Sequence, residues 1–217
     1  TLAALLARSQ SGQGQEVKAS LLATALTIAN GALIEQSMLA PNRTATLNRS
    51  QTQGPSDAYQ TQDGWIIVQC IGQPLFKRWT VLMGETHWLE DSRFVDDEGR
   101  GIHGELLSER MARWCAERST EQALRLLEDA RIPAGPVLSP QQALDDAHIQ
   151  ATKFLTSLAF PGSTEDVPVA ETPFSLSVTA ARVRSRAPAL GEHTNVILEE
   201  LGFSESGINE LRDRGVV

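Results

Sequence analysis

The fold is decided by an apolar stretch and the turn before it, which together read Asp63-Gly-Trp-Ile-Ile-Val-Gln-Cys-Ile71. β-Branched residues fill its centre, and an Asp-Gly pair is frequent between paired strands, so the stretch predicts a central strand entered from a hairpin. A helix is predicted directly after it, because Pro74 suits a first turn and Gly84 suits a helix end. Between these two residues, apolar side chains recur at helical spacing at Leu75, Phe76, Trp79 and Leu82.

Outward from this centre, the pattern is mostly helical. Residues 20–39 are apolar around most of the helical circumference, which predicts one long helix buried on several sides. Two serines stand at capping-box spacing from a glutamine, which predicts that helices start after Ser119 and Ser139. Alternating residues predict strands over residues 154–160 and 167–178. This order indicates an α/β or α+β chain in which the middle piece is separate.

Composition indicates a globular chain of acidic character. Of the 217 residues, 41% are hydrophobic and 21% are charged, and the formal net charge is −8. Nucleic acid is not expected as a partner, because sequence-independent binding needs a basic surface. The acidity is concentrated in residues 85–129, with 12 acids against 6 bases, whereas residues 1–53 hold 2 acids against 4 bases. We expect a solvated helical face to carry this charge.

Neither a membrane span nor a secretion signal is expected. The longest uncharged stretch, residues 19–34, contains Thr24, Thr27 and Asn30, and it falls short of the ~20 apolar residues that a span needs. No basic segment precedes an apolar core and a cleavage site, so a cytoplasmic location is the expectation. Because Thr1 lies in a helical pattern already under way, we expect an upstream portion that this sequence lacks.

The cysteines and histidines predict neither a disulfide nor a metal site. Cys70 and Cys115 lie far apart, one in the apolar stretch and one in a helical pattern, as buried free thiols do. None of the four histidines pairs with a cysteine at the spacing of zinc ligands.

The residue patterns contain no self-contained catalytic machinery. There is no Gly-x-Ser-x-Gly elbow and no Cys/His signature, and paired acids are more often solvated surface than acid–base groups. At Gly191-Glu-His-Thr194 we predict helix capping, with the acid near the positive end of the dipole and His193 or Thr194 satisfying open N–H groups. The polar loop Gln51–Asp57 is the segment that we expect to contact a ligand, although a plain linker is about equally well supported.

Five separated motifs resemble those of one enzyme family. They are Leu2-Ala-Ala-Leu-Leu-Ala-Arg8, Ser11-Gly-Gln-Gly-Gln-Glu-Val17, Ala58-Tyr-Gln-Thr-Gln-Asp-Gly-Trp65, Ile132-Pro-Ala-Gly-Pro-Val137 and Ala187-Pro-Ala-Leu-Gly-Glu-His-Thr194. Together they resemble class III CoA transferases, the family of formyl-CoA transferase and carnitine CoA transferase, which also includes α-methylacyl-CoA racemase. The closing residues 198–217 resemble the usual end of that family, so the resemblance runs from the first residue to the last.

The resemblance implies an α/β fold that combines part of a Rossmann-like large domain with a small α+β domain. It assigns residues 1–47 to a helical large-domain piece, and residues 48–144 to a linker and the small domain. Residues 145–217 become a return linker with C-terminal large-domain elements. The chain then corresponds to the C-terminal part of a typical member. Because members pair as interlocked rings, a homodimer, or assembly with an N-terminal fragment, is expected.

The resemblance also implies that CoA moves between an acyl-CoA and a carboxylic acid through covalent aspartyl intermediates. In this family the aspartate lies shortly before the helix that begins this chain, so no catalytic residue is expected among these residues. The CoA thioester is then a substrate, and no permanently bound cofactor is expected. A glycine-containing loop closes over the thioester in some transferases, and the segment with Gln51, Gln53 and Gly54 occupies a similar place.

Two alternatives to a transferase stay open. Racemases of the family carry a glutamate just after the strand that resembles Trp65–Ile71, whereas this sequence has Gly72 and Gln73 there. Because the ending Gly191-Glu-His193 is also transferase-like, a transferase is favoured over a racemase. The other alternative is a non-catalytic remnant that pairs with itself or with an N-terminal fragment. Apolar surface exposed on the helix over residues 20–39 would support it.

Overall fold

The computed structural model describes residues 1–217 and has the predicted mixture of helices and strands. Contacts within the chain divide it into two units, Thr1–Pro136 and Val137–Val217. The helices of the first unit are α1 (Leu2–Ser11), α2 (Leu21–Ile28), α3 (Asn30–Leu39), α4 (Gln73–Met83), α5 (Asp97–Ile102), α6 (Gly104–Ala116) and α7 (Thr120–Asp129). Its strands are β1 (Ser56–Gln60), β2 (Trp65–Gln69) and β3 (Ala134–Pro136). The predicted division into residues 1–47, 48–144 and 145–217 stays a prediction.

The three strands form one antiparallel sheet with β2 in the centre. β1 and β2 are joined by a short connection that contains Asp63 and Gly64, so the predicted hairpin and central strand are confirmed. Along β2, Ile66 and Val68 are fully buried, whereas Ile67 between them is exposed. This alternation is typical of an antiparallel sheet with one face on the core.

Aromatic side chains of α4 and of the short 3₁₀ turn Thr86–Leu89 form the centre of the core. Trp79 stacks on Phe76 with ring centroids 5.8 Å apart and on Trp88 with centroids 5.6 Å apart. The indole N–H of Trp79 donates to the sulfur of Met111 in α6 at 3.3 Å. Large buried rings contribute much of the stability of a small core. The predicted helix between Pro74 and Gly84 is therefore confirmed, and Phe76 and Trp79 of its apolar pattern are fully buried.

Both predicted capping boxes are confirmed. At the start of α7, the Ser119 hydroxyl accepts from the N–H of Gln122 at 3.2 Å, and the Gln122 side chain accepts from the N–H of Ser119 at 3.3 Å. Ser139 and Gln142 make the same reciprocal pair at the start of α8 (Pro140–Asp145). In each helix, side chains satisfy backbone N–H groups that the first turn leaves open.

The predicted single buried helix over residues 20–39 is wrong on both counts. The segment forms two helices, α2 and α3, which separate at Ala29. Helices α1, α2 and α3 contain no buried residue, and Leu21 and Met38 are 93% and 76% exposed. The physical reason is that the other elements of this unit leave these apolar side chains uncovered. No helix of the chain has the length and apolar character to cross a bilayer.

The second unit contains short helices and one hairpin. After α8 come α9 (Ala147–Thr152), β4 (Leu155–Leu158), β5 (Val167–Ala170), α10 (Thr194–Glu200) and α11 (Glu205–Asp213). β4 and β5 pair antiparallel, which confirms the two predicted strands, although each is shorter than the alternation indicated. In α11, Ile208 is buried, and the Ser204 hydroxyl caps the first turn by accepting from the N–H of Gly207 at 3.2 Å.

The burial predicted for the two cysteines is confirmed. Cys70 and Cys115 are fully buried and unpaired. Burial raises the pKa of each thiol to about 12. Both side chains therefore act as small apolar groups in the core rather than as reactive thiolates.

Candidate functional site

The predicted ligand loop, Gln51–Asp57, lies between α3 and the edge strand β1, and its last two residues, Ser56 and Asp57, are the first residues of that strand. Gln51 and Gln53 are partly buried, and Gly54 is buried. The N–H of Ser50 donates to the carbonyl of Ser56 at 2.8 Å and closes the base of the loop. The three residues predicted for ligand contact thus lie together in one closed loop.

Gln51 forms hydrogen bonds through both its side chain and its backbone. Its side-chain amide nitrogen donates to the carbonyl of Thr44 and to the hydroxyl of Thr46, the latter at 3.2 Å. Its carbonyl oxygen accepts from the guanidinium of Arg43 at 2.8 Å. All of these partners belong to the segment just before the loop. The side-chain nitrogen of Gln51 is therefore already used within the protein.

Arg43 connects the same segment to helix α3. Its Nε and Nη2 atoms donate to the two carboxylate oxygens of Glu35 at 2.9 and 2.6 Å, which is a bidentate pair. Hydrogen bonding to Arg43 holds the pKa of Glu35 below its ordinary value. Beside this pair, Gln36 and Asn42 exchange two hydrogen bonds of 3.1 and 3.0 Å. The end of α3 and the loop are therefore joined through side chains.

Gln53 and Gly54 differ in how much freedom they have. The side-chain oxygen of Gln53 accepts from the hydroxyl of Thr52 at 2.9 Å. The side-chain amide nitrogen of Gln53 makes no hydrogen bond within the chain. A Cβ atom at Gly54 would lie 2.9 Å from the carbonyl oxygen of Arg100 and 3.0 Å from the side chain of Leu107. Gly54 is thus needed for close packing, and Gln53 retains a free donor.

Two buried glycines make room for the loop. A Cβ atom at Gly101, in α5, would collide with the carbonyl oxygen of Gln51. One at Gly104, the first residue of α6, would lie 3.1 Å from the guanidinium of Arg49. This packing of the loop on α5 and α6 was not predicted from the sequence. The available signal was the closely spaced glycines in a helical region, where each costs about 1 kcal/mol relative to alanine.

Arg100 in α5 is a buried charge that the sequence analysis also missed. It is 1% exposed and donates to the Gln73 side chain, the Phe94 carbonyl and the Asp97 carboxylate, each at 2.7 Å. Its guanidinium carbon lies 4.7 Å from the centroid of the Phe76 ring, and its Nε is buried without a partner. A buried charge with this many partners fixes the positions of the groups around it.

Gly72 and Gln73, where the resemblance implies a glutamate in racemases, both form hydrogen bonds within the fold. The N–H of Gly72 donates to both carboxylate oxygens of Asp97 at 3.0 Å. The side-chain oxygen of Gln73 accepts from buried Arg100. Neither residue presents a carboxylate, so this position supplies no base for removing a proton next to a thioester.

A cleft of about 500 Å³ lies beside β1 and α6 and contains three connected polar groups. The Ser108 hydroxyl donates to Asp57 Oδ2 at 3.2 Å and lies 3.2 Å from the Tyr59 hydroxyl. Burial raises the pKa of Tyr59, so the phenol is neutral at physiological pH. A serine without a histidine or lysine as base is a weak nucleophile. The cleft therefore offers hydrogen bonds rather than covalent chemistry. Asp57 is the last residue of the segment predicted for ligand contact, whereas Tyr59 and Ser108 were not predicted as site residues.

In the second unit, the capping predicted at Gly191-Glu-His-Thr194 does not form. Glu192 accepts from the two guanidinium Nη atoms of Arg186 at 2.8 Å each and from the N–H of Ala189 at 2.7 Å. Hydrogen bonding to Arg186 lowers the pKa of Glu192 to about 2. The prediction is wrong because a full charge on Arg186 is a stronger partner than the partial charge of a helix end. His193 precedes α10 without a side-chain cap.

The structure brings Gln51, Gln53 and Gly54 together but places no nucleophile and base beside them. No group of three or more His, Cys, Asp or Glu side chains is arranged to hold a metal ion. The role of the loop in ligand contact stays a prediction.

Comparison with known proteins identifies relatives along the whole chain. A family model described as CoA-transferase family III matches residues 1–194. Succinyl-CoA–D-citramalate CoA-transferase of Chloroflexus aurantiacus is 28% identical over 100% of this chain and 54% of its own length. Succinyl-CoA:mesaconate CoA-transferase of Haloarcula hispanica is 28% identical over 97% of this chain and 52% of its own length. The chain spans about half the length of the curated relatives that it matches.

Solved structures share this fold. A CaiB/BaiF family protein from Brucella suis aligns with a TM-score of 0.72 at 22% identity, over 92% of this chain and 51% of that protein. Rv3272 from M. tuberculosis aligns with a TM-score of 0.68 at 23% identity, over 90% of this chain and 51% of that protein. The predicted fold class, a part of the class III CoA transferase fold, is confirmed.

Proposed function

The chain belongs to CoA-transferase family III, and on that premise we propose that it forms part of an enzyme that moves CoA from an acyl-CoA to a carboxylic acid. The observation that carries this proposal is the family match over residues 1–194, together with relatives named as CoA-transferases over the whole chain. The CoA thioester is the substrate in this proposal, no resident cofactor takes part, and the cytoplasm is the compartment.

In the proposed reaction, an aspartate outside these residues forms covalent intermediates. Its carboxylate attacks the carbonyl of the donor thioester, which releases the CoA thiolate and leaves an acyl–aspartyl anhydride. The thiolate then attacks the aspartyl carbonyl, so the donor acid leaves and an aspartyl–CoA thioester forms. The acceptor carboxylate attacks this thioester, the thiolate attacks the acceptor carbonyl of the new anhydride, and the aspartate is regenerated. Covalent catalysis thereby splits one difficult exchange into easier steps.

The loop that contains Gln51, Gln53 and Gly54 closes over the thioester in this proposal. Its close packing on α5 and α6 and the free amide nitrogen of Gln53 support this role. Exclusion of water matters because anhydride and thioester intermediates hydrolyse when water reaches them.

Transfer is tested with the full gene product, one acyl-CoA and one free acid, with new acyl-CoA species measured by mass spectrometry. Succinyl-CoA with citramalate, mesaconate or malate is tried first, because relatives carry these names, and formyl-CoA with oxalate follows. We expect an acceptor thioester to form and hydroxylamine to trap an aspartyl hydroxamate. A folded full-length protein that forms no new thioester with any pair contradicts the proposal.

Racemisation is distinguished by the same experiment in deuterated water. A racemase exchanges the hydrogen next to the thioester carbonyl without moving CoA, whereas a transferase moves CoA and leaves that hydrogen in place. Because Gly72 and Gln73 provide no carboxylate, we expect no deuterium in the product. Deuterium uptake without CoA transfer would favour the racemase.

We also propose that α1, α2 and α3 are covered in the working enzyme, first of all by a second copy and otherwise by an N-terminal portion. Exposed apolar side chains recur along α2 and α3, and clusters of this kind mark interfaces. The most exposed are Leu21, Leu22, Ile28, Met38 and Leu39. Light scattering tests this assembly, and a homogeneous monomer of the full gene product would leave only the N-terminal portion as the cover.

A further inference from the structure

Several contacts converge on Gln51 from different directions. Its carbonyl oxygen accepts from the Arg43 guanidinium and packs against Gly101 of α5. Its side-chain nitrogen donates to Thr44 and Thr46. An amide nitrogen that already donates to two protein acceptors has little capacity left for a ligand. Gln51 therefore differs from Gln53, whose amide nitrogen makes no hydrogen bond within the chain.

Arg43 is placed to transmit the position of α3 to this loop. One guanidinium holds the Glu35 carboxylate through Nε and Nη2, and it reaches the Gln51 carbonyl through Nη1. The side chains of Glu35 and Arg43 are each 30% exposed, although Arg43 as a whole residue is exposed, as most of its neighbours are. A planar guanidinium with donors on two sides can bridge two acceptors in this way, which an ammonium does less well.

We propose that Arg43 and Gln51 form a clamp that positions the loop, with Glu35 as its anchor on α3. Gln51 is then a positioning residue. Of the two glutamines in the loop, Gln53 is the one whose side chain is available to contact the thioester. The second part of this statement rests on the proposed CoA-transferase function. The clamp itself is a property of the chain that can be measured without substrate.

The N–H of Ser50 reports on the clamp, because it is protected by the carbonyl of Ser56 at the base of the loop. Its hydrogen exchange is measured by NMR in Arg43→Ala, Gln51→Ala and Gln53→Ala. Arg125→Ala is the control, because Arg125 is exposed on α7 and makes no hydrogen bond or ion pair there. We expect exchange about tenfold faster in the first two variants, since each loses hydrogen bonds that hold the loop.

Two further readouts separate a clamp from a general loss of stability. The exchange of β2 amides should stay unchanged in all variants, which shows that the sheet is intact. Arg43→Lys keeps the charge beside Glu35 but has a single nitrogen atom in place of the guanidinium. It should therefore recover part of the Ser50 protection that Arg43→Ala loses. Unchanged Ser50 exchange in both Arg43→Ala and Gln51→Ala would overturn the clamp.

Kinetics of CoA transfer test the division of roles between the two glutamines. A positioning residue lowers kcat, so we expect Arg43→Ala and Gln51→Ala to lower kcat by similar factors with little change in KM. Gln53→Ala should instead raise KM for the thioester and leave Ser50 exchange as in the wild type. A Gln51→Ala variant that raises KM while Ser50 stays protected would contradict the assignment. If the wild type transfers no CoA, the proposed function fails, and Ser50 exchange still decides the clamp.

Discussion

The first unit contains two apolar regions that differ in how far their side chains are buried. The packed core, residues 56–132, buries Trp79, Phe76 and Leu107 completely. The open helices, α1 to α3, are richer in leucine and alanine than the packed core, yet they bury no residue. The difference shows that an apolar helical pattern predicts which face of a helix needs to be covered. Which other element covers that face is not contained in the pattern.

The largest expected effect comes from the same substitution made in both regions. Leu107→Ala should lower the free energy of unfolding by about 2–5 kcal/mol, because it opens a cavity in the core. Leu22→Ala, at a position 70% exposed, should change it by less than about 0.5 kcal/mol. Urea denaturation of the isolated chain measures both. Equal losses would mean that the open helices are packed after all.

A buried and an exposed arginine give the next comparison. Arg100→Ala removes the counter-charge of Asp97 and a donor to buried acceptors, so a loss of about 2–4 kcal/mol is expected. Arg93→Ala breaks a pair with Asp91 in which the arginine is 48% exposed, and it should cost less than about 1 kcal/mol. Urea denaturation again provides the measurement. A small effect at Arg100 would show that its neighbours rearrange around the gap.

Features determined by neighbouring residues could be predicted from the sequence. The hairpin at Asp63-Gly64 and the capping boxes at Ser119 and Ser139 follow from local chemistry, and the structure has them. Glu192 shows the limit, because the nearby charge of Arg186 outweighed the helix end that the local pattern favoured.

The features that were missed involve residues distant in sequence. Arg100 donates to Gln73, and Gly101 contacts the backbone of Gln51, across separations that no periodicity encodes. The loop could be selected as polar and irregular, but its packing on α5 and the different hydrogen bonding of its two glutamines depend on residues brought together by the fold. Predicted burial of α2 and α3 failed for a related reason, because burial depends on what lies opposite.

A smaller effect distinguishes the helix caps of the two regions. Ser119→Ala removes the cap of α7, which packs on the core, and should cost about 1 kcal/mol of unfolding free energy. Ser20→Ala removes the cap of α2, where Ser20 accepts from the N–H of Ala23 at 3.4 Å. Because α2 can open without unfolding the core, we expect no shift of the urea midpoint. A matching shift would contradict the separation of the two regions.

The smallest effects concern carboxylates fixed by arginine on exposed surfaces. In an NMR titration, Glu192 should titrate near 2 and move toward 4.5 in Arg186→Ala. Because its folded-state pKa is depressed, its contribution to stability is present above pH 4.5 and is lost as the pH falls toward 2. Glu35 should likewise rise toward its ordinary pKa in Arg43→Ala. An unchanged pKa of Glu35 in Arg43→Ala would show that α3 is not joined to the loop through this pair.

Hydrogen exchange across a series of protein concentrations tests the central comparison most directly. At concentrations where the chain is monomeric, amides of β2 and α6 should be protected, and those of α2 and α3 should exchange rapidly. As assembly proceeds, protection should rise in α2 and α3 and stay constant in the core. Helices α2 and α3 that are as protected as β2 in the monomer, or that gain no protection on assembly, would contradict the account.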